Sequence, residues 1–149
     1  MIQFYSALMI VGIACVTVMV GPVFSAGTEE TVVQTAPYDE AKAMVEEGSF
    51  AAALPKLVGL TQNDPGNADA WNLLGFTYRK LGALEDSDAA YLKVLAINPD
   101  HIGALEYQGE LFITQGKIDA AKANLLRLQE LCGDCEEAQD LAKALDAAA

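Results

Sequence analysis

Positive charge is scarce in this sequence. Lys and Arg number 9 against 21 Asp and Glu in 149 residues, a formal charge of −12. Nucleic acid is therefore a poor partner, because phosphate binding needs a basic face. An anionic membrane surface is disfavoured for the same reason. Histidine is nearly absent, with His101 alone. That removes most histidine-based metal centres and leaves a His-dependent triad one candidate. Its place after Asn98-Pro99-Asp100 marks it as an exposed turn residue. There is no phosphate-cradling glycine loop, Gly-x-Ser-x-Gly elbow, His-Glu-x-x-His pair or EF-hand loop. Asp86-Ser87-Asp88 opens an expected helix, where acids complement the macrodipole rather than mark calcium. No catalytic residue, metal ligand or cofactor is expected. With 52% hydrophobic residues the chain is nonetheless rich enough in apolar surface to fold.

The first 28 residues carry no Lys, Arg, Asp or Glu. An apolar run from Ala7 to Val20 precedes the breakers Gly21-Pro22 and the small residues around Ser25-Ala26-Gly27. An apolar core, a breaker and a small-residue cut site are the parts of a secretory signal peptide, here residues 1–26, with a linker at 27–33. One part is missing, since the leading stretch has no Lys or Arg. The rival reading is an uncleaved anchor in the inner membrane, because Ile2 to Phe24 is long enough to span a bilayer. Cys15 lies inside the apolar run, so lipidation there is not expected. The expected address is periplasmic, with membrane contact only if the leader stays attached.

What the rest of the chain has is a period. Pro65 and Pro99 are 34 residues apart, and Gly133 follows Pro99 by 34. Gly48, Gly82 and Gly116 recur at 34, as do Gly75 and Gly109. Each period reads as two amphipathic helices. Trp71, Leu74, Gly75, Tyr78 and Leu81 make one apolar stripe, ended by Gly82 as a left-handed C-cap. Leu84, Tyr91, Val94, Leu95 and Ile97 make the next, stopped by Pro99. Leu105, Gly109, Phe112, Ile118, Ala121, Leu125 and Leu128 repeat the pattern, and Ala41, Met44, Phe50, Ala53, Leu57 and Leu60 carry it more loosely.

Trp71-x2-Leu74-Gly75-x2-Tyr78, followed by Gly82, Tyr91 and Pro99, resembles a tetratricopeptide repeat (TPR). The family's small residue early in the second helix would be Ala53, Ser87 and Ala121 in turn. The resemblance implies an all-α, right-handed α-solenoid of three helix-turn-helix units, 34–67, 68–101 and 102–135. Gly75 and Gly109 would let paired helices approach where the facing residue is also small. In the first unit Pro37 stands where Trp is preferred and is expected to open the helix at its first turn. Pro55 falls inside the second helix, with Ser49 as the expected cap and any distortion confined to the early turns. Residues 136–149 are expected to cap the array, with a helix over Glu136–Ala147. Ala138, Leu141, Ala142 and Leu145 would face in; Glu137, Asp140 and Lys143 would face out.

Cys132-Gly133-Asp134-Cys135 is the chemically pointed motif. The ends of a four-residue turn lie under about 7 Å apart, which suits a disulfide in an oxidising compartment. It would fix the capping helix to the last repeat. The competing reading is a thiol redox pair. Those motifs usually follow a strand and open a helix, whereas Cys132 is expected at a helix C-terminus, where the dipole raises a thiol pKa. A zinc site would need two further ligands.

The resemblance also implies a concave binding face built from the first helix of each repeat. The groove positions that matter are Tyr38 and Lys42, then Asn72, Leu73, Phe76, Arg79 and Lys80, then Glu106, Tyr107 and Glu110. Such a face is aromatic and mixed in charge, suited to a peptide segment or partner protein. The clamp with which chaperone-tail members of the family hold a terminal carboxylate is not matched. Its positions carry Tyr38, Lys42, Leu73, Gly103 and Tyr107, of which only Lys42 has the right charge. The expected function is a non-enzymatic scaffold or adaptor of the bacterial envelope. The alternatives are a small thiol-disulfide protein using Cys132 and Cys135, or a membrane-tethered assembly factor.

Overall fold

The computed structural model describes residues 36–148, which form seven helices. They are α1 (Pro37–Glu46), α2 (Phe50–Asn63), α3 (Ala68–Lys80), α4 (Leu84–Ile97), α5 (Ile102–Thr114), α6 (Ile118–Cys132) and α7 (Glu136–Ala147). All belong to one unit, Val33–Ala149. The expected leader at 1–26 and linker at 27–33 lie outside the described residues. Among the described residues no helix is long and apolar enough to cross a membrane.

The 34-residue period is visible in the turns. Gly48, Gly82 and Gly116 have φ of 78°, 78° and 74°. That left-handed backbone favours glycine because a Cβ would crowd the following carbonyl. In each case the next residue returns a hydrogen bond to the helix just ended: Ser49 to the Met44 carbonyl at 2.8 Å, Ala83 to Tyr78 at 2.9 Å, Lys117 to Phe112 at 2.7 Å. This is the Schellman closure, which satisfies carbonyls that the helix end leaves free. The other turn is equally regular. Asn67 accepts from the Ala70 amide at 2.9 Å, and His101, 34 residues on, accepts from Ala104 at 3.1 Å. Trp71 donates its indole N–H to the Pro65 carbonyl at 3.1 Å, pinning the turn before α3.

The chain pairs α1 with α2, α3 with α4 and α5 with α6, while α1, α3, α5 and α7 touch in sequence as an inner row. Helices α2, α4 and α6 lie outside and do not touch one another. The architecture is the expected all-α array of three helix pairs and a capping helix. The small residues Ala53, Ser87 and Ala121 are each fully buried. Ser87 goes further, donating its hydroxyl to the Gly75 carbonyl at 2.8 Å between α4 and α3. Helix α7 occupies the place of a fourth inner helix and buries Ala138, Leu141 and Leu145 against α5 and α6. The two leucines contribute about 1.5–3 kcal/mol each.

Several local expectations need correction. Gly75 and Gly109 face large side chains rather than small ones. A Cβ on Gly75 would stand 2.7 Å from the Tyr91 ring, and one on Gly109 2.5 Å from Leu141. The glycines make room for these side chains. Leu81 and Ile97, assigned to the core stripes, are 42% and 41% exposed because each falls where its helix ends. Ser49 occupies the N-cap position of α2 but makes no side-chain cap. Pro55 sits within α2, which continues through it, and Pro37 opens α1 in its first turn as expected.

Candidate functional site

Five of the sequence-selected residues converge at the middle of the inner row. Phe76 of α3 and Tyr107 of α5 have ring centroids 5.0 Å apart, and Phe50 meets Phe76 edge-on at 6.1 Å. The Arg79 guanidinium lies over both rings, 5.4 Å from Phe76 and 6.0 Å from Tyr107. It also donates to the Glu110 carboxylate across the inter-repeat gap. Lys80 lies over Phe76 at 5.1 Å. Helical spacing explains the grouping, since 76, 79 and 80 share one face of α3 while 106, 107 and 110 share one face of α5. Cations over aromatic faces are worth about 0.5–1 kcal/mol each at exposed sites.

The remaining groove residues are placed less centrally. Tyr38 is half-buried; burial, and then the negative charge of Asp69, raises its phenol pKa. Asn72 is half-buried, and its Oδ1 has no hydrogen-bond partner among the described residues. Leu73 packs with the apolar cluster of the first repeat. Lys42 is exposed and pairs with Glu46 one turn away at 3.8 Å, apart from the aromatic group. Burial and the nearby Glu106 and Glu110 raise the Tyr107 phenol pKa.

Glu106 is the feature that sequence reasoning understated. It is only 8% exposed, and burial pushes its carboxyl up to about 7. The negative charges of Glu110, Glu137 and Asp140 push the same way, and Arg79 opposes them. Glu137 and Asp140 were expected on a polar outer face of α7. Asp140 is exposed as expected, Glu137 is half-buried instead, and the negative charge of both acts on Glu106. The signal was available in the period, because a step of 34 carries Glu106 to Asp140 and Gly103 to Glu137.

His101 also departs from expectation. It is no exposed turn residue: its side chain is 13% exposed, its Nδ1 caps α5, and its Nε2 meets Asp69 at 3.0 Å. The same step of 34 from the N-cap Asn67 would have found it. Cys132 is the last residue of α6 and Cys135 the N-cap of α7, with Cα atoms 5.6 Å apart. Among the described residues no three His, Cys, Asp or Glu side chains are placed to hold a metal ion.

The family model described as tetratricopeptide repeat matches residues 44–108. Over these residues the chain is similar to that family. No curated protein matches the chain. Solved structures extend the likeness to about three quarters of the chain. The type III secretion translocator chaperone SycD of Yersinia enterocolitica superposes with TM-score 0.68 at 17% identity, covering 75% of this chain and 80% of that one. The first TPR domain of Spaghetti, solved with an HSP90 peptide, gives 0.67 at 20% identity, covering 74% and 89%. A TPR protein of Parabacteroides merdae gives 0.66 at 20% identity, covering 75% of this chain and 44% of its own length. At these identities the likeness is one of fold.

Proposed function

We propose that the protein is an exported, non-enzymatic TPR adaptor that holds a peptide segment or partner protein of the bacterial envelope in its concave face. The observation that carries this reading is the central group of Phe76, Tyr107, Arg79 and Glu110 on two neighbouring inner helices. Aromatic and Arg side chains at the centre of a surface are the usual anchors of binding energy. TPR domains of similar fold include one solved with an HSP90 peptide, SRMEEVD. An acidic tail of that kind does not suit this groove, whose C-terminal half carries Glu106, Glu110, Glu137 and Asp140. Export is supported by the charge-free apolar leader ending in small residues. The cysteine pair fits that address as a disulfide joining α6 to α7, since 5.6 Å between Cα atoms lies within the bonding range. Affinity capture with the wild-type chain and with Phe76→Ala tests the reading. The adaptor predicts a partner lost with the ring. The mass of the mature protein decides between removal and retention of residues 1–26. Retention would make the protein a membrane-tethered factor.

A further inference from the structure

Glu106 is unmatched within the concave face. It is 8% exposed, and among the described residues nothing hydrogen-bonds to its carboxylate. The residue is largely buried while its carboxylate oxygens still reach solvent, so the charge is costly unless it is paired and a partner can reach it. Arg79, which opposes its neighbours' negative charge, donates its own hydrogen bond to Glu110. The other charged groups acting on Glu106 are Glu110 on α5 and Glu137 and Asp140 on α7, all negative. The place therefore lacks one positive charge. The charge of Glu106 acts on the next residue, Tyr107, whose ring stacks with Phe76, and these faces already accept the cations of Arg79 and Lys80. Such faces also suit the apolar stem of a long basic side chain. A metal ion is a poor occupant, since no three described ligands are arranged for one.

We infer that the segment held in the concave face presents a lysine or arginine side chain to Glu106, where α5 meets α7. This rests on the adaptor reading above and names the chemistry of its partner. A cation brought beside the carboxylate offsets the cost of burial and draws Glu106 into its ionised form. Binding therefore releases a proton near neutral pH, and affinity rises with pH as Glu106 ionises.

The test pans a random peptide library on phage against the full chain. The recovered sequences, acetylated and amidated to remove terminal charges, are then titrated by calorimetry. Glu106→Gln keeps the side-chain volume, and its fold is checked by circular dichroism. The recovered peptides are expected to share a Lys or Arg position. Replacing that residue by norleucine or citrulline should weaken binding on the order of tenfold in the wild type. The same replacement should make little difference in Glu106→Gln. Wild-type affinity should rise on the order of tenfold from pH 6 to pH 8 and stay flat in the Gln variant. Peptides lost on Phe76→Ala but lacking a shared basic residue overturn the inference and leave the adaptor standing. The same holds for peptides whose preference for a basic residue survives Glu106→Gln. Peptides indifferent to both Phe76→Ala and Tyr107→Ala, or no recovered peptide at all, overturn the adaptor reading and this inference with it.

Discussion

Phe76 and Tyr107 stack at a tilt of 47° with centroids 5.0 Å apart, one on α3 and one on α5, and thereby join two repeats across the concave face. Each is half-buried, so each has surface left to give to a partner. Truncating either ring also strips support from the other. Phe76→Ala or Tyr107→Ala should weaken partner capture by about 1–2 kcal/mol or more. Titration of the captured partner against each variant, with circular dichroism as a fold control, measures this. Unchanged affinity in both folded variants would count against the groove.

Two glycines inside helices should respond to alanine in opposite directions. At Gly75 a Cβ would lie 2.7 Å and 2.9 Å from ring atoms of Tyr91, which is fully buried and has no room to turn away. Gly75→Ala should therefore cost about 1–3 kcal/mol, as overpacking of a close-packed interior does. Gly59, inside α2, has no atom within 4 Å of its would-be Cβ. Gly59→Ala should gain about 0.5–1 kcal/mol from helix propensity alone. Thermal melts of both variants read the contrast. Equal shifts of the same sign would mean that the α3–α4 contact is looser than described.

If Cys132 and Cys135 are joined, the closed loop is very short and its contribution should be about 2 kcal/mol or less. That effect should be confined to α7, which buries Leu141 and Leu145 on its own account. Cys132→Ser/Cys135→Ser should bind the partner as the wild type does, while amides of α7 exchange faster with solvent. Hydrogen exchange reads the second outcome and capture the first. Loss of capture in this variant, with Phe76→Ala and Tyr107→Ala unaffected, would favour thiol chemistry instead.

The buried charge of Glu106 makes stability depend on pH. Its carboxyl titrates near 7 in the fold against 4.5 for a free glutamate. Between those values the folded chain keeps a proton that the unfolded chain has released. The contribution is therefore full below about 4.5 and lost as pH rises through about 7. Above that pH Glu106→Gln should be more stable than the wild type by about 1–3 kcal/mol, allowing for the solvent the carboxylate still meets. At pH 4 the two should be nearly equal. Denaturant titrations at both ends check the sign, and a wild type as stable as the variant at pH 8 would contradict the buried-charge account.

Most of the architecture was legible because the period is punctuated by residues with strong backbone preferences. Gly82 had to be left-handed, Pro37 could only open a helix, and Glu136–Ala147 is bounded by a turn and carries its own apolar stripe. The groove residues followed from helical spacing on α3 and α5. What a periodicity argument misses is the neighbour from another helix. Gly75 and Gly109 were read as small against small, yet the space they leave is filled by Tyr91 and Leu141, the latter from the capping helix. Glu106 reads as one more groove residue until the fold brings the charges of Glu110, Glu137 and Asp140 to bear on it. His101 reads as a turn residue until it is placed in register with Asn67, whose capping bond it repeats.

The most direct test of the central claim is site-specific photocrosslinking from the two faces of the array in the living cell. A photoreactive residue at Lys80 lies on the concave side beside Phe76, and one at Leu92 lies exposed on the outer helix α4. The adaptor account predicts a discrete crosslinked partner from position 80 that disappears when Tyr107→Ala is added, and none from position 92. A partner crosslinked from position 92 alone, or one from position 80 that persists without the Tyr107 ring, would contradict it.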